Sequence, residues 1–155
     1  MQEQVIERML IGASPEDCYE VLTAFEHYGE WAADVKSVHV DSTDAEGRAS
    51  VVTFRAAAFG RSTSYTLRYD YEGAPTALSW VQVDGDLTGQ LDGSYHLAPA
   101  EAGGTEIEYR LVVDLKVPLP GFVKRRAEGR IMGTALKDLK AFVEARESSS
   151  TPPGR

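Results

Sequence analysis

The sequence is short of the residues on which most small catalytic and metal sites depend. Cys18 is its single cysteine, so no disulfide can form within the chain, and His27, His39 and His96 are its three histidines. None of them stands at His-x-x-x-His spacing, and a lone cysteine supports no metal cluster, so neither a metal site nor a cofactor is expected. A Gly-x-Ser-x-Gly elbow, a phosphate loop and a dinucleotide fingerprint are all missing. There is no run of about 18 apolar residues, which argues against a membrane-spanning helix. The opening MQEQVIERML carries acidic residues and no long apolar core, so it does not read as a signal peptide. These features suit a reducing, cytoplasmic compartment. Basic charge is also in deficit, with 16 Lys and Arg against 24 Asp and Glu and a net charge of -8. Phosphate contacts need a basic footprint, so nucleic acid is not an expected partner.

What the chain does have is apolar material, 43% of 155 residues, which is enough for the core of one domain. Gln4 to Ile11 reads as an opening strand. Ser14-Pro15-Glu16-Asp17 then has the form of a helix start: Ser14 as cap, Pro15 in the first turn, an acidic residue three positions after the cap. Cys18, Val21, Leu22 and Phe25 recur at helical spacing, and a second short helix is expected over Tyr28 to Ala33.

From Val35 the apolar period drops to two. Strands are expected from Val35, over Ser50 to Ala57, Ser64 to Glu72, Leu78 to Val83, Thr88 to Leu97 and Thr105 to Lys116, with turns marked by Gly47, Gly60, Pro75, Gly85 and Gly103-Gly104. Beyond Pro118 and Pro120 the helical period returns and lasts to about Arg146, roughly 25 residues or ~38 Å. Gly129 and Gly133 inside it remove side chains, which leaves room for close approach or for a ligand. The stretch 147–155 has no apolar anchor and reads as a disordered tail. Short turns between successive strands favour an antiparallel meander, and only the last helix is long enough to cover its buried face. The expected fold is α+β: a helix-grip domain over residues 1–146, with a curved antiparallel sheet of about seven strands wrapped around a long C-terminal helix and two short helices after the first strand.

Local text supports the same order. Ala13-Ser14-Pro15-Glu16-Asp17, Phe25-x-x-Tyr28-x-x-Trp31, Leu91-Asp92-Gly93-Ser94-Tyr95 and Gly104-Thr105-Glu106-Ile107 precede the terminal helix in sequence. Together they resemble the START-like superfamily of polyketide cyclase/dehydrase and lipid-transport domains over about residues 2 to 146. The resemblance implies a cavity between sheet and helix that takes an apolar ligand. Strand parity offers Tyr65, Leu67, Tyr69, Trp80, Leu91, Tyr95, Tyr109 and Leu111 as its lining, with Leu78, Leu97 and Val113 on the same face. Ile131, Met132, Ala135 and Leu139 face them from the helix, and Trp31, Phe59 and Phe122 are placed at the mouth. The same aromatics can instead fill the core outright.

No catalytic residue stands out. Cyclase relatives, as the resemblance implies, place an arginine inward on the strand matching Tyr65 to Tyr71, whereas here Arg68 has outward parity. His96 also falls on the outward side. The reading therefore leans towards binding or carriage of a hydrophobic molecule such as a lipid, a quinone or a polyketide-like compound. A polyketide aromatase/cyclase and a partner-binding accessory module are the alternatives. Lys124, Arg125 and Arg126, next to Leu119 and Phe122, offer transient contact with an anionic membrane, or else form a solvated helix face that pairs with Glu128.

Overall fold

Strand β1 (Gln4–Ile11) leads into helix α1 (Pro15–Thr23), a 3₁₀ turn (Phe25–His27) and the short helix α2 (Tyr28–Trp31). The Ser14 hydroxyl accepts the Asp17 backbone N–H at 3.1 Å, as the capping spacing requires. Six strands follow, β2 (Val35–Thr43), β3 (Ala49–Ala58), β4 (Arg61–Asp70), β5 (Ala77–Gly85), β6 (Thr88–Pro99) and β7 (Thr105–Leu115), before the terminal helix α3 (Gly121–Ser150). The computed structural model describes residues 4–58 and 60–150.

All seven strands form one sheet in the order β1-β7-β6-β5-β4-β3-β2, with every neighbouring pair antiparallel. β2 to β7 are thus a plain meander, and β1 adds to its far edge. Bulges within β2–β3, β4–β5 and β6–β7 bend the strands, as a sheet curved about a helix needs. The alternation read from the sequence is real. In β7, Thr105, Ile107, Tyr109, Leu111, Val113 and Leu115 are buried, and the residues between them are not.

Helix α3 is 30 residues long, so it passes the expected end at Arg146. Residues 147–150, read as tail from their polarity, continue the helix because Glu147 and Ser148 to Ser150 include no glycine or proline. Positions 151–155 lie outside the described residues. Met132, Leu136, Leu139 and Val143 are almost fully buried in one hydrophobic cluster with Ile11, Cys18, Leu22, Ile107 and Leu111. That stripe sets α3 against β1, β7 and α1. Gly129 and Gly133 do not serve close approach. A Cβ built on either meets nothing within 4 Å, and both border a shallow groove with Glu7, Arg8 and Met9.

Candidate functional site

The sheet and α3 do not close completely. Between them lies a cavity of about 200 Å³. An apolar cavity of about 150 Å³ admits benzene, so this space suits one or two rings rather than an extended chain.

Strands β2 to β7 contribute residues of their inner faces, with Val35 from β2. Phe54 comes from β3, Tyr65, Leu67 and Tyr69 from β4, Trp80 from β5, Leu91 and Tyr95 from β6, and Tyr109, Leu111, Val113 and Leu115 from β7. Ile131 and Ala135 face them from α3, and Trp31 reaches in from α2. Of the lining proposed from the sequence, Met132 and Leu139 are the exceptions. At about 100° per residue they lie further round the helix than Ile131 and Ala135, so they join the buried stripe instead of the cavity. Leu78 and Leu97 are likewise buried in the core and do not border the cavity.

The opening lies where lining residues reach solvent, at Ala33, Asp34, Ala57 and the 41% exposed Ile131. Trp31 stands beside it. Phe122 does not: it is 61% exposed at the start of α3 and is not part of the wall. Phe59 lies outside the described residues. Leu119 is 36% exposed, and Arg125 and Arg126 are exposed with it.

The aromatic rings touch in series. Tyr28 and Trp31 have centroids 4.8 Å apart, Tyr28 and Phe54 5.7 Å, and Phe54 and Tyr65 5.3 Å. A second group joins Tyr69 to Trp80 at 5.8 Å, Trp80 to Tyr95 at 5.2 Å and Tyr95 to Tyr109 at 4.5 Å. The Tyr28 hydroxyl is committed to the Leu22 carbonyl at 2.5 Å. Burial pushes the hydroxyls of Tyr28, Tyr65, Tyr69 and Tyr95 above the usual tyrosine value, and that of Tyr109 to about 12. All five are therefore neutral at ordinary pH and can donate hydrogen bonds but cannot act as bases.

Trp31 Nε1 and Trp80 Nε1 are buried without a hydrogen-bond partner, the only such side-chain atoms among the described residues. Both tryptophans line the cavity. A buried donor left unpaired costs roughly 1–3 kcal/mol, so both indoles carry an unmet hydrogen bond within the packed wall.

Sequence reading missed the polar groups of the wall: Asp34, Thr63, Thr88, Glu128, Thr134 and Asp138. Glu128, placed on the solvated basic face by its charge, is only 7% exposed and lines the cavity. Helical phase was the available signal, because Glu128, Ile131, Ala135 and Asp138 recur at intervals of three and four. The Asp138 carboxylate accepts the Ala33 backbone N–H at 3.1 Å, which joins α3 to the loop after α2. Near the far turn, Asp86 accepts from the Thr63 hydroxyl and from the Ser64 N–H, the latter at 3.0 Å. The Thr63 bond, with the backbone N–H groups of Ser64, Leu87 and Asp86 itself, holds its carboxyl below the usual range.

Arg68 is exposed, as its parity implies, and so is His96. No Lys, Arg or His lines the cavity among the described residues.

Residues 2–144 match the family model described as polyketide cyclase / dehydrase and lipid transport. Among solved structures, a START superfamily protein from Mycobacterium smegmatis superposes with a TM-score of 0.87 at 21% identity, covering 94% of this chain and 99% of that one. The Zhui aromatase/cyclase from Streptomyces sp. R1128 gives 0.80 at 15% identity, covering 94% and 96%. Ginseng major latex-like protein 151 from Panax ginseng gives 0.71 at 12%, covering 92% and 97%. At such identities these structures establish the fold alone. No curated protein matches the sequence.

Proposed function

Because this chain belongs to the polyketide cyclase/dehydrase and lipid transport family, we propose that it binds a small apolar molecule in the cavity between sheet and α3 and releases it unchanged. The observation that carries this reading is the wall itself: largely apolar and aromatic, with a few polar groups aimed at a space of about 200 Å³. Ligand sites typically combine such a lining with a small number of orienting donors. The inward tyrosines stay protonated, and the arginine of the cyclase pattern is outside, so the wall is better provided for holding than for transforming. Leu119 and Phe122, exposed near Arg125 and Arg126, offer a surface for brief contact with an anionic membrane during loading.

Native mass spectrometry of protein purified from cells, followed by titration with a panel of one- and two-ring compounds, tests the reading. Tryptophan fluorescence should respond, since both tryptophans line the cavity. Ala135→Phe should fill the space and abolish the response. A ligand-free mass together with no response across the panel would end the proposal.

A cyclase reading keeps one foothold, the buried Glu128 carboxylate on the wall, which is a group able to move a proton. Incubation with a poly-β-ketone intermediate decides it. An unaltered product profile removes that reading.

A further inference from the structure

The charge of the wall narrows the ligand class, an inference that rests on the binding function proposed above. Asp34, Asp138 and Glu128 line the cavity, and no basic side chain does so among the described residues. The carboxylates are not scattered. Asp138 is held against Ala33 by its 3.1 Å hydrogen bond, next to Asp34 at the opening. Asp34 also lies close enough to Tyr65 to add to the rise in that hydroxyl's pKa, behind the larger effect of burial. On this same side runs the ring series Trp31, Tyr28, Phe54, Tyr65. Aromatic faces beside carboxylates attract a cation, and the attraction grows where water is excluded. A carboxylate or phosphate ligand entering there meets like charge instead.

The inner end asks for something different. Trp80 packs among Tyr69, Tyr95 and Tyr109, and its N–H is buried without an acceptor. These four rings make the inner end an aromatic wall suited to a ligand's own ring. We propose that the cavity takes a small aryl-alkyl amine, its ammonium among the opening carboxylates and the Trp31–Tyr28 rings, and its aryl ring against Tyr69, Trp80, Tyr95 and Tyr109. One ring with a short chain also fits a volume of about 200 Å³.

Three probes of one skeleton and different charge test this by tryptophan fluorescence: 4-methoxyphenethylamine, 4-methoxyphenethyl alcohol and 3-(4-methoxyphenyl)propanoate. The amine should bind about tenfold more tightly than the alcohol at low ionic strength, the propanoate should bind most weakly, and added salt should shrink the amine's advantage. In Asp34→Asn/Asp138→Asn the amine-to-alcohol ratio should fall to about two. If that variant does not fold, Asp34→Asn alone, at an exposed position, should still lower the ratio. Equal binding of amine and alcohol by the unaltered protein, or tightest binding of the propanoate, overturns the amine proposal and leaves the binding reading standing. If none of the three binds, the amine proposal falls, and the native mass and the wider panel decide the binding reading.

Discussion

Glu144, near the end of α3, reaches across to Gly12 just after β1: its Oε2 accepts the Gly12 backbone N–H at 2.6 Å. The same oxygen accepts from Lys140 Nζ at 2.6 Å, and Lys140 donates onward to the Leu10 carbonyl at 3.0 Å. Two side chains one helical turn apart thus tie α3 to the edge strand of the sheet. This clasp holds the C-terminal part of the helix over the sheet.

The Lys140 bond, and after it the Gly12 bond, hold the Glu144 carboxyl below its ordinary 4.5. A depressed carboxyl contributes stability that is present above its unfolded value and is lost as pH falls through the folded one. Glu144→Gln keeps an acceptor for Gly12 but loses the ion pair. The side chain is 34% exposed, so the cost at neutral pH should be modest, about 0.5–1 kcal/mol. Urea denaturation at neutral pH and again below pH 4.5 should show the gap between the two proteins closing in acid. A gap of constant size would show that the ion pair contributes nothing.

Gly103 and Gly104, side by side in the β6–β7 turn, make a controlled comparison. Their φ values are 96° and 84°, so alanine is strained at both. At Gly103 a Cβ meets nothing within 4 Å, whereas at Gly104 it would lie 2.4 Å from the Ile11 carbonyl oxygen. Gly103→Ala should cost about 1–2 kcal/mol, the left-handed penalty alone. Gly104→Ala should cost clearly more, because a paired strand must move to admit it. Equal melting temperatures for the two variants would contradict the contact.

The cavity tyrosines, three of them buried and Tyr65 and Tyr69 partly so, set the behaviour in alkali. Tyr28, Tyr65, Tyr69, Tyr95 and Tyr109 all have hydroxyls raised by burial above the ordinary 10.0. A raised value means the folded state favours the neutral form. Its stabilisation is complete below pH 10 and declines as pH rises past it. Thermal melts should therefore hold level up to about pH 9 and fall steeply beyond pH 10. Absorbance titration should show these rings ionising only together with unfolding. Reversible ionisation in the folded protein near pH 10 would show that the cavity is wet.

Much of this was legible beforehand, and the reasons differ by element. Tyr65, Leu67 and Tyr69 could be placed inside because a strand offers only two directions. Helix α3 offers more. Met132 and Ala135 are both apolar and both turned from solvent, yet one packs on β1, β7 and α1 and the other borders the cavity. Apolarity alone does not separate those faces. Glu128 was misplaced because charge was taken as a sign of solvent, although its phase matches Ile131 and Ala135. The unpaired indole N–H groups were out of reach altogether, since pairing depends on where other atoms fall.

Gly93 and Trp80 are cross-strand partners on β6 and β5, and their contact bears directly on the cavity. A Cβ on Gly93 would lie 2.7 Å from Trp80 Cζ2 and 2.6 Å from the Arg110 carbonyl oxygen. The carbonyl belongs to a paired strand and cannot yield cheaply, so β6 must shift from β7 there, and the indole must also give, towards the space it now borders. Gly93→Ala should cost about 2–3 kcal/mol, a fall in melting temperature of about 5–10 °C for a domain of this size. It should also weaken binding of every cavity probe, charged or neutral, because the loss is one of room and not of charge. Gly89→Ala is the control. Its Cβ would meet the Asp114 carboxylate at 2.8 Å, a side chain free to swing, so both stability and binding should change little. If Gly93→Ala binds the probes as well as the parent protein does, Trp80 does not shape the cavity through this contact.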